Sequence, residues 1–196
     1  MAVNRANEFS GTTDIRKQHS FDVGRLQAFM EENVEGFAGN LDVQQFKGGQ
    51  SNPTFLLESG GKRYVMRRKP PGKLLKSAHA VDREYEVITA LGSTDVPVPK
   101  TYALCTDETV VGTWFYIMDY VEGRIFWTPD LPEVERDERR TIYEGMADAL
   151  ARLHMVDHRA IGLDGFGKPF DYIARQIHIW TKQYKLSETE TIEEMD

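Results

Sequence analysis

The sequence predicts an α+β fold, an antiparallel-sheet lobe followed by a mainly helical segment. Three observations carry this. Between Val43 and Arg68 apolar and polar residues alternate in short runs broken by glycine turns, the period of half-buried strands. From Trp114 to Gly123 one strand is apolar almost throughout and ends in glycine, which marks a candidate boundary. Beyond residue 132 apolar residues recur three and four apart, the spacing of one helix face.

Taken in order, residues 1–18 read as a mobile tail. Phe21 to Glu32 reads as a helix with Val23, Leu26 and Phe29 or Met30 inward. Val43 to Phe46 and Thr54 to Leu57 read as strands flanking Gly48-Gly49-Gln50-Ser51-Asn52. Glycines let backbone N–H groups approach an anion, and Ser51 and Asn52 add polar side chains. An ordinary hairpin turn fits the same residues. The turn is neither G-x-x-x-x-G-K-[ST] nor G-x-G-x-x-G, and it opens a strand, not a helix.

Ser59-Gly60-Gly61 is the next turn, and Lys62 to Arg68 the next strand. Val65 and Arg67 are two apart and share a face. An apolar residue beside a fixed cation suits a nucleotide, one packing the base and the other pairing with phosphate. A solvated basic strand end is the bland alternative, since Arg63, Arg68 and Lys69 are basic too. Arg63, Arg67, Arg68, Lys69, Lys73 and Lys76 form a basic patch, read as serving the phosphates of a small ligand.

Pro70-Pro71-Gly72 breaks the chain, and a helix is expected from about Ala78 to Leu91 with Gly92 as its stop. Glu84 lies three residues after Val81 and seven before Leu91, on the apolar stripe. A carboxylate there needs a cation, and Arg67 is available; a solvated glutamate at the stripe edge is the other reading. A strand near Tyr102 to Cys105 follows, then the strand into Met118-Asp119-Tyr120-Val121-Glu122-Gly123. Glu133 to about Val156 reads as a helix entered near Pro132, with Ile142, Met146, Ala149, Leu150 and Leu153 in a core. Phe170, Ile173, Ile177, Trp180 and Tyr184 mark a second core stripe.

Glycine turn, basic strand, helix glutamate and hinge strand together resemble the small lobe of the protein-kinase-like fold. More closely, the chain resembles the aminoglycoside phosphotransferase family. Within it the match is to kinase-like domains that stand alone in bacteria or are fused to acyl-CoA dehydrogenases in eukaryotes. The matching segments include Phe46–Thr54, Tyr64–Gly72, Arg83-Glu84-Tyr85, Val96–Pro99, Met118–Arg124, Leu150–His154, Ile161–Leu163 and Arg175-Gln176. They extend over roughly residues 20 to 190.

The resemblance implies a nucleotide-binding lobe over 19–122 and the start of a helical large lobe over 123–196. It implies ATP and Mg²⁺ as cofactors and transfer of the γ-phosphoryl group to a hydroxyl of a small metabolite, such as a hydroxy-acyl compound. Gly48, Gly49, Gln50, Ser51 and Asn52 would cradle phosphate, and Arg67 would pair with it, oriented by Glu84. Val65 and Met118 would pack the base, and backbone groups of Asp119 and Val121 would hold its edge. The family's His-Gly-Asp-x-x-x-x-Asn loop and second metal-binding Asp do not occur. Asp164-Gly165-Phe166-Gly167 imitates Asp-Phe-Gly with an extra glycine. The expectation is therefore the N-terminal part of a kinase, inactive alone, with its catalytic Asp downstream. A nucleotide- or partner-binding module without turnover is the alternative.

Composition agrees. Apolar residues are 40% and charged residues 28% of 196, an ordinary globular balance. The 24 basic and 31 acidic residues give −7, which argues against nucleic acid as main partner. No apolar run reaches membrane-spanning length. One cysteine, Cys105, excludes an intrachain disulfide and points to a reducing, cytoplasmic setting. His154 and His158 share a helix face but have no third ligand at metal spacing.

Overall fold

A computed structural model describes residues 10–48, 52–72, 79–168, 170–190 and 192–193. The chain divides into two compact units, Met1–Val156 and Asp157–Asp196.

The first unit is built on a six-stranded antiparallel sheet. Its strands are β1 (Thr12–Thr13), β2 (Asp42–Phe46), β3 (Thr54–Ser59), β4 (Lys62–Arg68), β5 (Thr101–Cys105) and β6 (Phe115–Asp119). Their order is β1-β2-β3-β4-β6-β5. A Gly60-Gly61 turn closes the β3–β4 hairpin, with Ser59 paired to Lys62. Gly60 has φ +56°, and a Cβ there would lie 2.9 Å from the Ala38 carbonyl oxygen, so glycine is required.

The two faces of the sheet differ because side chains alternate. Phe55, Leu57, Tyr64, Met66, Phe115 and Ile117 point to one face. There they pack with Leu26 and Met30 of helix α1 (Val23–Asn33). Asp22 caps this helix by accepting from the Arg25 N–H at 3.2 Å. Helix α2 (Val81–Leu91) is associated with β5 and β6. It starts later than the expected Ala78, and Gly92 ends it in a right-handed conformation, φ −61°.

Short helix α3 (Glu108–Val111) links β5 to β6, and Cys105 is buried beside it, its thiol pushed up by burial. Long helix α4 (Arg136–Met155) closes the unit. It begins three residues after the expected Glu133, because buried Leu131 and Val134 hold the preceding backbone in turns.

Three expectations need correction. Within the expected 1–18 tail, residues 10–18 are not loose. Thr12 and Thr13 pair with Phe46 and Gln45, and the Arg16 N–H donates to the Gln45 side chain at 3.1 Å. Only residues 1–9 of that span lie outside the described residues. The α4 stripe is not core: Met146, Leu150 and Leu153 are exposed, and Ile142 and Ala149 are half-buried. In the second unit, helix α5 (Tyr172–Ser187) has no buried residue, and Phe170, Ile173, Ile177 and Trp180 are exposed. The helical period is present in both, but no described residue buries these faces. No described helix is long and apolar enough to cross a membrane.

Candidate functional site

The sheet face opposite the main core carries two transverse rows of side chains. Strand register pairs Leu56 with Val65 and Val65 with Met118. It pairs Thr54 with Arg67 and Arg67 with Tyr116. The first row is apolar and the second polar. The rows are two residues apart along each strand, about 6.8 Å.

A cleft of about 710 Å³ lies against the apolar row, with Val65, Met118, Thr54, Asp119, Tyr120 and Val121 among its lining residues. Pro97, Val98 and Pro99 also line it. The volume is that of a small-molecule site, mostly apolar with a few polar groups. Phe46 and Tyr120 stack at 6.5 Å, and the Arg63 guanidinium lies 4.3 Å from the Tyr120 ring centre.

At the hinge, Asp119 is fixed from two sides. Its N–H donates to the Lys100 carbonyl at 2.8 Å, and its carboxylate accepts from the Tyr102 hydroxyl at 2.5 Å. Burial and this carboxylate raise the Tyr102 pKa. The Asp119 N–H is therefore already engaged within the protein. Val121 is 68% exposed and lines the cleft.

The polar row centres on Glu84. Its Oε2 accepts from Arg67 Nε at 2.5 Å and from the Tyr116 hydroxyl at 3.2 Å. Its Oε1 accepts from Asn52 Nδ2 at 3.0 Å and from Arg67 Nη2 at 3.4 Å. Four donor groups thus meet one carboxylate. Burial opposes the Arg67 charge, but the hydrogen bond and attraction of Glu84 outweigh it, so its pKa is raised. Tyr116 is 1% exposed, and burial followed by the Glu84 charge raises its pKa.

The sequence-predicted residues fall into three groups. Val65, Arg67, Glu84, Met118, Asp119 and Val121 belong to the cleft or to the carboxylate cluster beside it. Gly48 and Asn52 bracket the glycine turn. Gly49, Gln50 and Ser51 lie outside the described residues. Asn52 differs from expectation in its side chain, which is engaged inside the protein by Glu84 and His79.

The expected basic patch does not hold together. Arg68 faces the opposite side of the sheet from Arg67 and is 3% exposed. It donates to Thr113 Oγ1 at 2.9 Å and to the His19 carbonyl at 3.0 Å. Burial lowers its pKa. Lys69 pairs with Asp82 at 3.8 Å and lies over Trp114, and Arg63 pairs with Glu122 at 3.4 Å. Lys73 and Lys76 lie outside the described residues. Tyr116 and His79 were missed as site residues. A tyrosine facing the same way as Arg67 across the ladder could have been found once the strand register was known. His79 carries no such signal.

Comparison with known proteins identifies the family. The model of the phosphotransferase enzyme family, APH, matches residues 42–196. The chain is 54% identical over 186 residues to "Probable acyl-CoA dehydrogenase IBR3" of Arabidopsis thaliana, covering 91% of this chain and 23% of that protein. It is 40% identical over 190 residues to acyl-CoA dehydrogenase family member 11 of Homo sapiens, covering 95% and 24%. A solved structure described as "a putative aminoglycoside phosphotransferase" from Ralstonia eutropha superposes with TM-score 0.74 at 54% identity. That match covers 88% of this chain and 50% of the other. The chain thus spans about a quarter of the length of the two acyl-CoA dehydrogenase relatives.

Proposed function

The chain belongs to the APH phosphotransferase enzyme family, and from that premise we propose that it is the nucleotide-binding part of an ATP-dependent phosphotransferase. The reaction is transfer of the γ-phosphoryl group to a hydroxyl of a small metabolite. One observation carries the reading: an apolar cleft lies directly beside a carboxylate-oriented arginine on the same sheet face.

In this reading Val65 and Met118 pack the base. The Asp119 carbonyl accepts from its exocyclic amino group, because the Asp119 N–H is already committed to Lys100. The Val121 N–H serves the neighbouring ring nitrogen. One row further along, Arg67 pairs with phosphate oxygens. Glu84 occupies Nε and approaches Nη2, which leaves Nη1 and the remaining guanidinium hydrogens for the ligand. A phosphate cradle over Gly48 to Asn52 belongs to the same proposal by family resemblance, with Gly49, Gln50 and Ser51 outside the described residues. Such catalysis is mostly positioning and charge neutralisation.

Mg²⁺ would supply further neutralisation when bound. Among the described residues no three His, Cys, Asp or Glu gather as a metal site. The nucleotide phosphates and other residues would have to hold it. The 196-residue chain alone is expected to show only background turnover. A nucleotide- or partner-binding module without turnover rests on the same cleft. A lobe boundary at 122–123 and a cytoplasmic setting belong to this reading.

The relatives' names include acyl-CoA dehydrogenase, which favours a hydroxy-acyl acceptor over an aminoglycoside. On the full-length protein, kcat/KM for hydroxy-acyl compounds should exceed that for kanamycin-type amines. The reverse order would overturn the acceptor assignment. For the chain itself, the test is calorimetric titration with MgATP. Arg67→Ala should cost roughly 1.5–3 kcal/mol of binding, the value of a hydrogen bond to a charged group. Equal affinity in the two proteins would remove Arg67 from the site.

A further inference from the structure

Asn52 lies two residues before β3 and is 4% exposed. Both ends of its side chain are used. Nδ2 donates to Glu84 Oε1 at 3.0 Å, and Oδ1 lies 2.8 Å from Nδ1 of His79. The chemistry fixes which end is which. A carboxylate only accepts, so the amide NH₂ must face Glu84. The amide oxygen then faces the imidazole and requires a donor. His79 therefore carries a proton on Nδ1.

His79 itself is held in an unusual state. Its φ is +61°, a left-handed backbone that a residue with a Cβ rarely adopts. Its carbonyl accepts from the Val81 N–H at 2.9 Å, at the entry to α2. The arrangement joins four segments: the end of the glycine turn, the entry to α2, β4 through Arg67, and β6 through Tyr116.

We propose that Asn52 is a positioning residue that fixes the Glu84 carboxylate, and through it the Arg67 guanidinium, with His79 anchoring the amide. The inference rests on the nucleotide reading above and deepens it. Asn52 acts through Glu84 and not as a side-chain ligand of phosphate. Without it, Oε1 keeps only the long 3.4 Å contact from Arg67. The carboxylate can then turn, and the arginine fork loses its fixed direction while keeping its charge.

The test uses the whole chain with two kinds of readout. Imidazole ¹⁵N shifts report the His79 tautomer, and the Arg67 Nε–H resonance reports its bond to Glu84. Neither needs a nucleotide. The other readout is calorimetric affinity for MgATP. Wild type should show His79 protonated at Nδ1 and a protected Arg67 Nε–H. Asn52→Ala should abolish both signals and weaken MgATP by about three- to tenfold, as expected for groups in one hydrogen-bond network. In a Glu84→Ala background the same change should cost little more, because its target is gone. His79→Ala, carried alongside in case the buried Asn52 variant fails to fold, should move Arg67 the same way by less.

Additive losses in the double variant would mark a direct phosphate contact and overturn the proposal. So would a wild-type His79 protonated only at Nε2, or an Asn52→Ala protein that keeps the Arg67 signal. A wild type that binds no MgATP but shows both signals, lost in Asn52→Ala, would overturn the nucleotide reading and leave the positioning role supported.

Discussion

Replacing Glu84 by Gln changes almost no volume but converts one oxygen into an amide. In the structure one oxygen takes Arg67 Nε and the Tyr116 hydroxyl, and the other takes Asn52 Nδ2 and Arg67 Nη2. Whichever way the amide points, its NH₂ faces donors. One side of the cluster loses its acceptor. Hydrogen bonds to charged groups contribute about 1.5–3 kcal/mol each. The Arg67 and Glu84 side chains are 33% and 32% exposed, however, so water replaces part of what is lost. The net cost is then roughly 1–2 kcal/mol. For a chain of this size each kcal/mol lowers Tm by about 2–4 °C. Thermal unfolding at neutral pH should therefore show a fall of about 2–8 °C in Glu84→Gln. MgATP affinity should fall with it, since Arg67 is no longer aimed. An unchanged or raised Tm would refute the claim that these donors depend on the carboxylate.

Alkaline pH supplies a second prediction. Tyr64, Tyr102 and Tyr116 have raised pKa values, from burial first and nearby carboxylates next. The folded chain keeps these protons where the unfolded chain releases them. Stability is thus fully present below about pH 10, the ordinary tyrosine pKa, and declines above it. Ultraviolet titration should find three of the eight tyrosines slow to ionise, with Tm falling above that pH and less steeply in Tyr116→Phe. All eight ionising together with a flat Tm would contradict this. A third prediction concerns the cleft: Val65→Phe fills ligand space and should abolish MgATP binding while the chain stays folded. Undiminished affinity would show that the base does not lie against Val65. A fourth concerns the hinge. Tyr102→Phe removes the hydroxyl from the Asp119 carboxylate and should lower stability by about 0.5–1.5 kcal/mol, measured by denaturant unfolding. No change would mean that water serves Asp119 equally well.

Much of the sheet was legible because alternation, glycine turns and strand length agree from Val43 to Arg68. The Arg67–Glu84 pair was legible for a chemical reason: a carboxylate on an apolar stripe needs a cation. The inward turn of Arg68 was legible in principle. Adjacent residues on a strand face opposite ways, so Arg67 and Arg68 could not serve one patch. Other features left no local trace. β1 is two residues long and has no hydrophobic period of its own; the Thr12 hydroxyl donates to the Gln44 side-chain oxygen and the following Arg16 N–H donates to that of Gln45. His79 meets Asn52 across 27 residues with no repeating pattern between them. The stripes of α4 and α5 gave the helices correctly and their burial incorrectly. Periodicity reports which side is apolar, and only tertiary contact decides whether that side is covered.

The most direct test of the nucleotide cleft is methyl chemical-shift mapping of the whole chain titrated with Mg²⁺ and a non-hydrolysable ATP analogue. The Val65, Met118 and Val121 methyls should shift together and saturate at one affinity. No saturable shift, or shifts confined to residues 157–196, would contradict the account.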